Sequence, residues 1–429
     1  MFFEIVSTLA MAGVAGFAYY QKSLLDENDH KKIKKIADAS GLYVGNEKIR
    51  IYRKTKNADH WEYVYQVPLG LSFNQFLEKK QVFTDGLNIK TRHDFNLKNL
   101  AAIDWRKNPI PQIKKLIINR TPLNKHIEME FDGMIRFRVY DHGLPDEVPY
   151  NDELIEKVKD WSIPVGRSLS DFLVHDFEKS PVLVVAGQTR YGKTVFLKNV
   201  ITTLIINQPL NVEFSLIDLK GGLAFARFMN CRQVVTVAKN ETETLAALES
   251  LHAAVLQRQR EFLAEGFEDI AEAGYKKRHF VIVDEGAEIA GFYDKETRNR
   301  CQYLLGEIAR IGAGLGFRVV FATQYPTADV FPRSIKSNTS AALCFRLKDT
   351  RQSMVVLDRA GAESLPLGQK GRAIYQTDHD ITVQTPYITN SYIDEKIKIH
   401  IRSKKGGADV VPEHKQKAAR RNFAVFEKV

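Results

Sequence analysis

The segment Gly187-Gln188-Thr189-Arg190-Tyr191-Gly192-Lys193-Thr194 constrains the fold of this chain more than any other. It fits G-x-x-x-x-G-K-[ST]. The apolar run 181–186 before it reads as a strand, and residues 195–206 after it read as a helix. A loop opening a helix points backbone N–H groups at phosphate oxygens, and the helix dipole adds to the attraction. Lys193 is expected to reach the β- and γ-phosphates, and the Thr194 hydroxyl to ligate Mg2+. Arg190 and Tyr191 are bulky where compact loops of this kind use Gly or Ser. They are expected to cover the nucleotide or slow its entry.

A second apolar strand, HFVIVDE, ends in Asp284 and Glu285. In open α/β sheets ligands bind at the carboxyl ends of the strands. Asp284 is therefore expected in the Mg2+ shell, and Glu285 is expected to orient and polarise the attacking water. A third apolar strand ends in Thr323-Gln324, and Gln324 is placed to sense the γ-phosphate or position the water. Hydrolysis also needs positive charge on the transition state, often an arginine from a neighbouring subunit. The candidates are Arg258 and Arg260, on the long predicted helix 241–264, and Arg310, Arg346 and Arg351.

Around these motifs, from residue 181 onward, short Val/Ile/Phe-rich runs alternate with helical stretches. A parallel sheet covered on both faces produces that texture, so the fold class is α/β. The chain has 429 residues with 44% hydrophobic and 27% charged, which excludes disordered, collagen-like and polytopic membrane classes. Cys231, Cys301 and Cys344 have neither metal spacing nor the even count of a disulfide framework.

The net charge of +10 sits at the ends: residues 22–60 carry +4 and residues 396–429 carry +7. Residues 2–20 hold one charge, Glu4. That length is at the short end for a membrane span. Lys-rich flanks stay cytoplasmic, so a single-pass anchor in the cell membrane with the rest of the chain in the cytosol is expected. The domain reading is an anchor over 1–21, a basic juxtamembrane segment over 22–48, a small α+β domain over 49–150, the α/β domain over 151–395 and a basic tail over 396–429. Within the small domain, strands are expected at 49–55, 61–70, 113–119 and 134–140, with one Ser72-capped helix over 72–84.

FVIVDEGAEIA, followed by ARIGAGLGFRVVFATQYPTADVFPRSIKSNTSAALCFRLKDTRQSMVVLDRAGAESLPLGQKGRAIY, closely resembles the motor of FtsK/SpoIIIE-type DNA translocases over about residues 160–380. Upstream, Ile217-Asp218-Leu219-Lys220 and the R-x-R at 258–260 fit as well. The resemblance implies a RecA-like P-loop NTPase motor, using ATP and Mg2+ through Lys193, Thr194, Asp284, Glu285 and Gln324. It makes Arg258 similar to the long-helix arginine proposed as a trans-acting finger. It also implies a homo-hexameric ring around DNA held by its phosphates.

This chain departs from the family loop, G-x-T-G-S-G-K-S, at Arg190 and Tyr191. It has one short anchor, a small α+β module and one motor, with no winged-helix segment after it. That arrangement resembles the coupling proteins of conjugative plasmids and integrative elements in Gram-positive bacteria, which implies a relaxase and channel proteins as partners. The alternatives are a chromosome-partitioning translocase, a type VII-like export ATPase and a nucleotide-binding scaffold without turnover.

Overall fold

A computed structural model describes residues 28–89, 91–93, 120–122, 124–327 and 331–402. The expected anchor at 1–21 and the expected strand at 113–119 lie outside the described residues. Among the described residues, no helix is long and apolar enough to cross a membrane. The chain divides into two compact units, residues 1–145 with 168–171, and residues 146–167 with 172–429.

The first unit is a four-stranded antiparallel sheet with helices on one face. Helix α1 (Asn28–Ala39) is followed by β1 (Arg50–Lys56), β2 (His60–Gln66), α2 (Phe73–Glu78), α3 (Lys80–Asn88), β3 (His126–Phe131) and β4 (Ile135–Tyr140). The strand order is β1-β2-β4-β3. Alternation does the folding here: Tyr63 and Tyr65 of β2, and Ile135, Phe137 and Val139 of β4, all point into one core.

Two expectations are corrected in this unit. Residues 28–48, read as part of a juxtamembrane segment separate from the small domain, pack into that domain instead. Ile33 and Ala37, one helical turn apart in α1, belong to the core, while Lys31, Lys34 and Lys35 stay exposed. The single helix over 72–84 is two helices broken at Lys79, and the Gln75 side chain accepts the Ser72 N–H at 2.9 Å.

The second unit contains a ten-stranded mixed sheet. Its elements are β5 (Ser162–Arg167), β6 (Phe172–Asp176), β7 (Val182–Ala186), α4 (Lys193–Asn207), β8 (Val212–Asp218), β9 (Val234–Ala238), α5 (Glu241–Glu265), β10 (Arg278–Asp284), α6 (Lys295–Gly312), β11 (Phe317–Thr323), β12 (Ala341–Phe345), α7 (Thr350–Leu357), β13 (Arg372–Gln376), β14 (Asp380–Gln384) and α8 (Asn390–Ile397). The strand order is β6-β5-β14-β13-β12-β7-β11-β10-β8-β9. The six strands from β12 to β9 run parallel, and the other four are antiparallel.

Successive residues of a central strand serve opposite faces. Leu183 and Val185 of β7 pack on the core with α4, whereas Val182 and Val184 pack on the core with α5 and α6. This is why the strands read as unbroken apolar runs. The hairpin β5–β6 extends the sheet beyond β14. The tail boundary also moves. Ile393 and Ile397 are buried, and the Arg402 N–H donates to the Asn230 carbonyl at 2.8 Å, so residues 396–402 belong to the packed unit.

Candidate functional site

Three strand ends converge because of the strand order. β11 lies between β7 and β10, so its end at Thr323 touches both neighbours. The Gly187 N–H donates to the Thr323 carbonyl at 3.2 Å, and the Gln324 N–H donates to Glu285 Oε1 at 2.9 Å. The 187–194 loop is also tied from below. The Gln188 N–H donates to the Arg346 carbonyl at 3.0 Å, and the Gly371 N–H donates to the Tyr191 carbonyl at 2.9 Å.

The loop backbone explains two of its residues. Gly192 has φ +125°, a conformation L side chains avoid. Arg190 has φ +72° without being glycine, and it is exposed. Tyr191 packs partly against the core beside α4. Of the two bulky residues expected to cover the nucleotide, Tyr191 is therefore turned toward the protein interior.

Lys193 opens α4 and is buried, 3% exposed. Its ammonium donates to Asp284 and lies 3.7 Å from Glu285 Oε2. Asp284 and Glu285 are 3% and 1% exposed. Glu285 has φ +64°, and the Gly286 that follows is obligatory, because a Cβ there would meet Phe321 at 2.1 Å. A left-handed non-glycine residue costs on the order of 1–3 kcal/mol and persists where its surroundings fix it, often at functional sites. Here the turn directs the carboxylate back toward the Gln324 N–H. Gln324 itself accepts from the Thr189 hydroxyl at 2.7 Å, joining the loop to the third strand end.

Two residues enter the site from β8. Asp218 is the strand partner of Asp284 and is fully buried. Its carboxylate accepts the N–H groups of Lys220 at 3.1 Å and Ala224 at 2.7 Å. The Lys220 ammonium donates to Glu285 Oε2 at 3.1 Å. The sequence signal for both is I-D-L-K at the end of an apolar run.

Arg258 is not brought to this site. It donates to the Leu315 carbonyl at 2.8 Å and lies over the rings of Tyr275 and Phe317 at 4.7 and 4.8 Å. Phe317 begins β11 and Thr323 ends it, so Arg258 lies roughly 20 Å from the loop by strand rise. It has no reach to its own chain's nucleotide site.

The donor set fits a nucleotide with Mg2+. Thr194, in the first turn of α4, and Asp284 would supply the hard oxygen ligands that ion takes. Among the described residues, no cluster of three or more His, Cys, Asp or Glu side chains forms a metal cage. Mg2+ usually binds through one or two carboxylates plus substrate phosphates, which is the arrangement available here.

Residues 157–280 match the FtsK/SpoIIIE family. The chain carries a domain of that family. DNA translocase FtsK of Leptospira interrogans is 31% identical over 301 residues, covering 66% of this chain and 31% of that protein. The Lactiplantibacillus plantarum protein of the same name is 29% identical over 324 residues, covering 70% and 37%. The chain thus spans about a third of the length of these FtsK relatives.

Among solved structures, the pCW3 conjugation coupling protein TcpA with ATPγS superimposes with a TM-score of 0.57 at 19% identity, covering 87% of this chain and 99% of that one. The type VII secretion ATPase EccC of Thermomonospora curvata gives 0.50 at 20% identity, covering 56% and 30%. At these identities the likeness is one of fold. The α/β architecture with a P-loop-type FtsK/SpoIIIE domain agrees with the sequence reading.

Proposed function

We propose that this chain is a membrane-anchored, ATP-driven DNA translocase that serves as the coupling protein in conjugative transfer, delivering a relaxase–DNA complex to the secretion channel. The observation that carries the ATPase part is the convergence of Lys193, Asp284, Glu285 and Gln324 at one sheet edge within an FtsK/SpoIIIE domain. The loop N–H groups and Lys193 bind the phosphates. Glu285 orients the attacking water, and Gln324 links the γ-phosphate position to the strand end. Mg2+, when bound, neutralises phosphate charge. Arg258, unable to serve its own chain, is assigned to a neighbouring subunit's nucleotide in a hexameric ring.

The coupling role is supported by the TcpA structure, whose likeness extends over 87% of this chain, against 56% for EccC. The reading places residues 1–21 in the cell membrane, leaves the motor in the cytosol and lets the basic tail beyond residue 402 meet DNA or the relaxase.

The test is ATP hydrolysis by the full chain with and without duplex and single-stranded DNA. Stimulation that weakens steeply with salt is expected, as phosphate contacts require. It should be lost in Lys193→Ala and Glu285→Gln. Hydrolysis that no DNA stimulates would overturn the translocase reading and favour export. Plasmid transfer that survives Lys193→Ala would overturn the coupling role.

A further inference from the structure

Glu285 has no free oxygen in this structure. Oε1 accepts from the Gln324 N–H at 2.9 Å and faces the Thr323 hydroxyl at 3.5 Å. Oε2 lies 3.1 Å from the Lys220 ammonium and 3.7 Å from that of Lys193. With Oε1 on the Gln324 N–H and Oε2 paired with ammoniums, neither oxygen is presented to a water. Two lysines and two carboxylates, Asp284 and Glu285, neutralise one another here, and Lys220 holds Oε2 directly at 3.1 Å.

The two lysines are not equivalent. Lys193 is buried at the loop and turns to the phosphates whenever nucleotide binds. Lys220 is then the remaining cation on Glu285. Its side chain is 45% exposed while that of Glu285 is 2% exposed, so among the groups touching Glu285 it alone opens widely to solvent. Its backbone is pinned, so the ammonium moves by rotation of the side chain alone. Asp218 anchors the two ends of the 218–224 loop, and between them Gly221 and Gly222 both have positive φ, +85° and +81°.

We propose that Lys220 is a positioning residue that holds Glu285 idle and releases it when a phosphate group draws the ammonium away. The recognising chemistry is a phosphate oxygen, supplied either by the bound nucleotide or by the backbone of DNA. The proposal rests on the reading of Glu285 as the water-orienting group.

The test is steady-state ATP hydrolysis by the full chain for Lys220→Ala, Lys220→Gln, Lys220→Arg and Glu285→Gln, with and without DNA, alongside affinity for a fluorescent ATP analogue. Lys220→Ala and Lys220→Gln should raise DNA-independent kcat several-fold and leave KM and analogue affinity unchanged. Lys220→Arg should restore the restraint. If DNA supplies the phosphate, the stimulation factor of Lys220→Ala collapses toward one. If the nucleotide supplies it, the factor persists above a higher baseline. Basal kcat that is unchanged or lower in both neutral variants overturns the proposal. Wild-type turnover by Glu285→Gln instead overturns the reading of Glu285, whatever Lys220 does.

Discussion

The two edges of the motor sheet both carry ion clusters with buried members, and they use them differently. At the carboxyl edge, Lys193 and Lys220 meet Asp284 and Glu285. At the amino edge, Arg278 and Arg318 grip Glu178: Arg278 holds both oxygens at 3.0 and 2.8 Å, and Arg318 adds a bond at 2.8 Å. The spare arginine donors go to backbone carbonyls, as in Arg318 to Ala313 at 2.7 Å. Arg278 also lies over the Trp161 ring at 5.6 Å. Planar guanidiniums forked onto one carboxylate, with further donors on backbone carbonyls, make a staple. Flexible ammoniums held chiefly by carboxylates make a site, because a phosphate can displace one anion for another at little geometric cost.

That contrast is open to breaking. The largest expected effect is at the carboxyl edge: Lys193→Ala should cut ATP turnover by about a hundredfold or more. Its thermal midpoint should fall, because buried Asp284 and Glu285 lose a counter-ion, yet the protein should remain folded at the assay temperature, checked by calorimetry. A variant that loses activity only by unfolding would erase the distinction between the edges.

At the amino edge the opposite pairing is expected. Glu178→Ala leaves two buried arginines facing each other and should lower stability by about 3 kcal/mol, measured by urea unfolding. Nucleotide affinity of the remaining folded protein should be unchanged.

A third test concerns His175 on β6. It is fully buried, with Nδ1 2.9 Å from the Tyr375 hydroxyl, and burial lowers its pKa from 6.5 to about 3. The folded protein binds this proton less readily than the unfolded chain. Stability is therefore fully present above 6.5 and is lost as pH falls from 6.5 toward about 3. At pH 5 the loss from this residue should be about 2 kcal/mol relative to pH 7. A His175→Gln variant should show a flatter pH profile of unfolding, whatever its absolute stability.

The smallest effect is in the loop. Arg190→Gly removes a left-handed arginine and should relieve about 1 kcal/mol of strain, offset in part by unfolded-state entropy. A rise in thermal midpoint with unchanged ATP affinity would mark Arg190 as a strained substitute for glycine. Weakened ATP affinity would instead make it a nucleotide contact.

Much of the site was legible because each part is local. The 187–194 loop, Asp284-Glu285 and Thr323-Gln324 each end an apolar run, and local chemistry identifies such ends. What hid Lys220 is distance along the chain. It lies 65 residues before Glu285, and only the pairing of β8 with β10 brings them together. The break at Lys79 was hidden because Phe76 and Phe83, seven residues apart, would also share one face of a continuous helix. The hairpin 162–176 and the packed residues 396–402 were missed because pairing and burial, not periodicity, place them.

Sequence alone determined that this chain has a phosphate-binding loop, two carboxylates and a polar strand end, each on a covered parallel sheet. These follow from residue type and spacing within a few residues. Tertiary structure alone decided that β11 lies between β7 and β10, that Lys220 closes on Glu285, and that Arg258 sits at the far edge. Strand order is set by which apolar faces bury best together, a sum over the whole domain that no local segment contains.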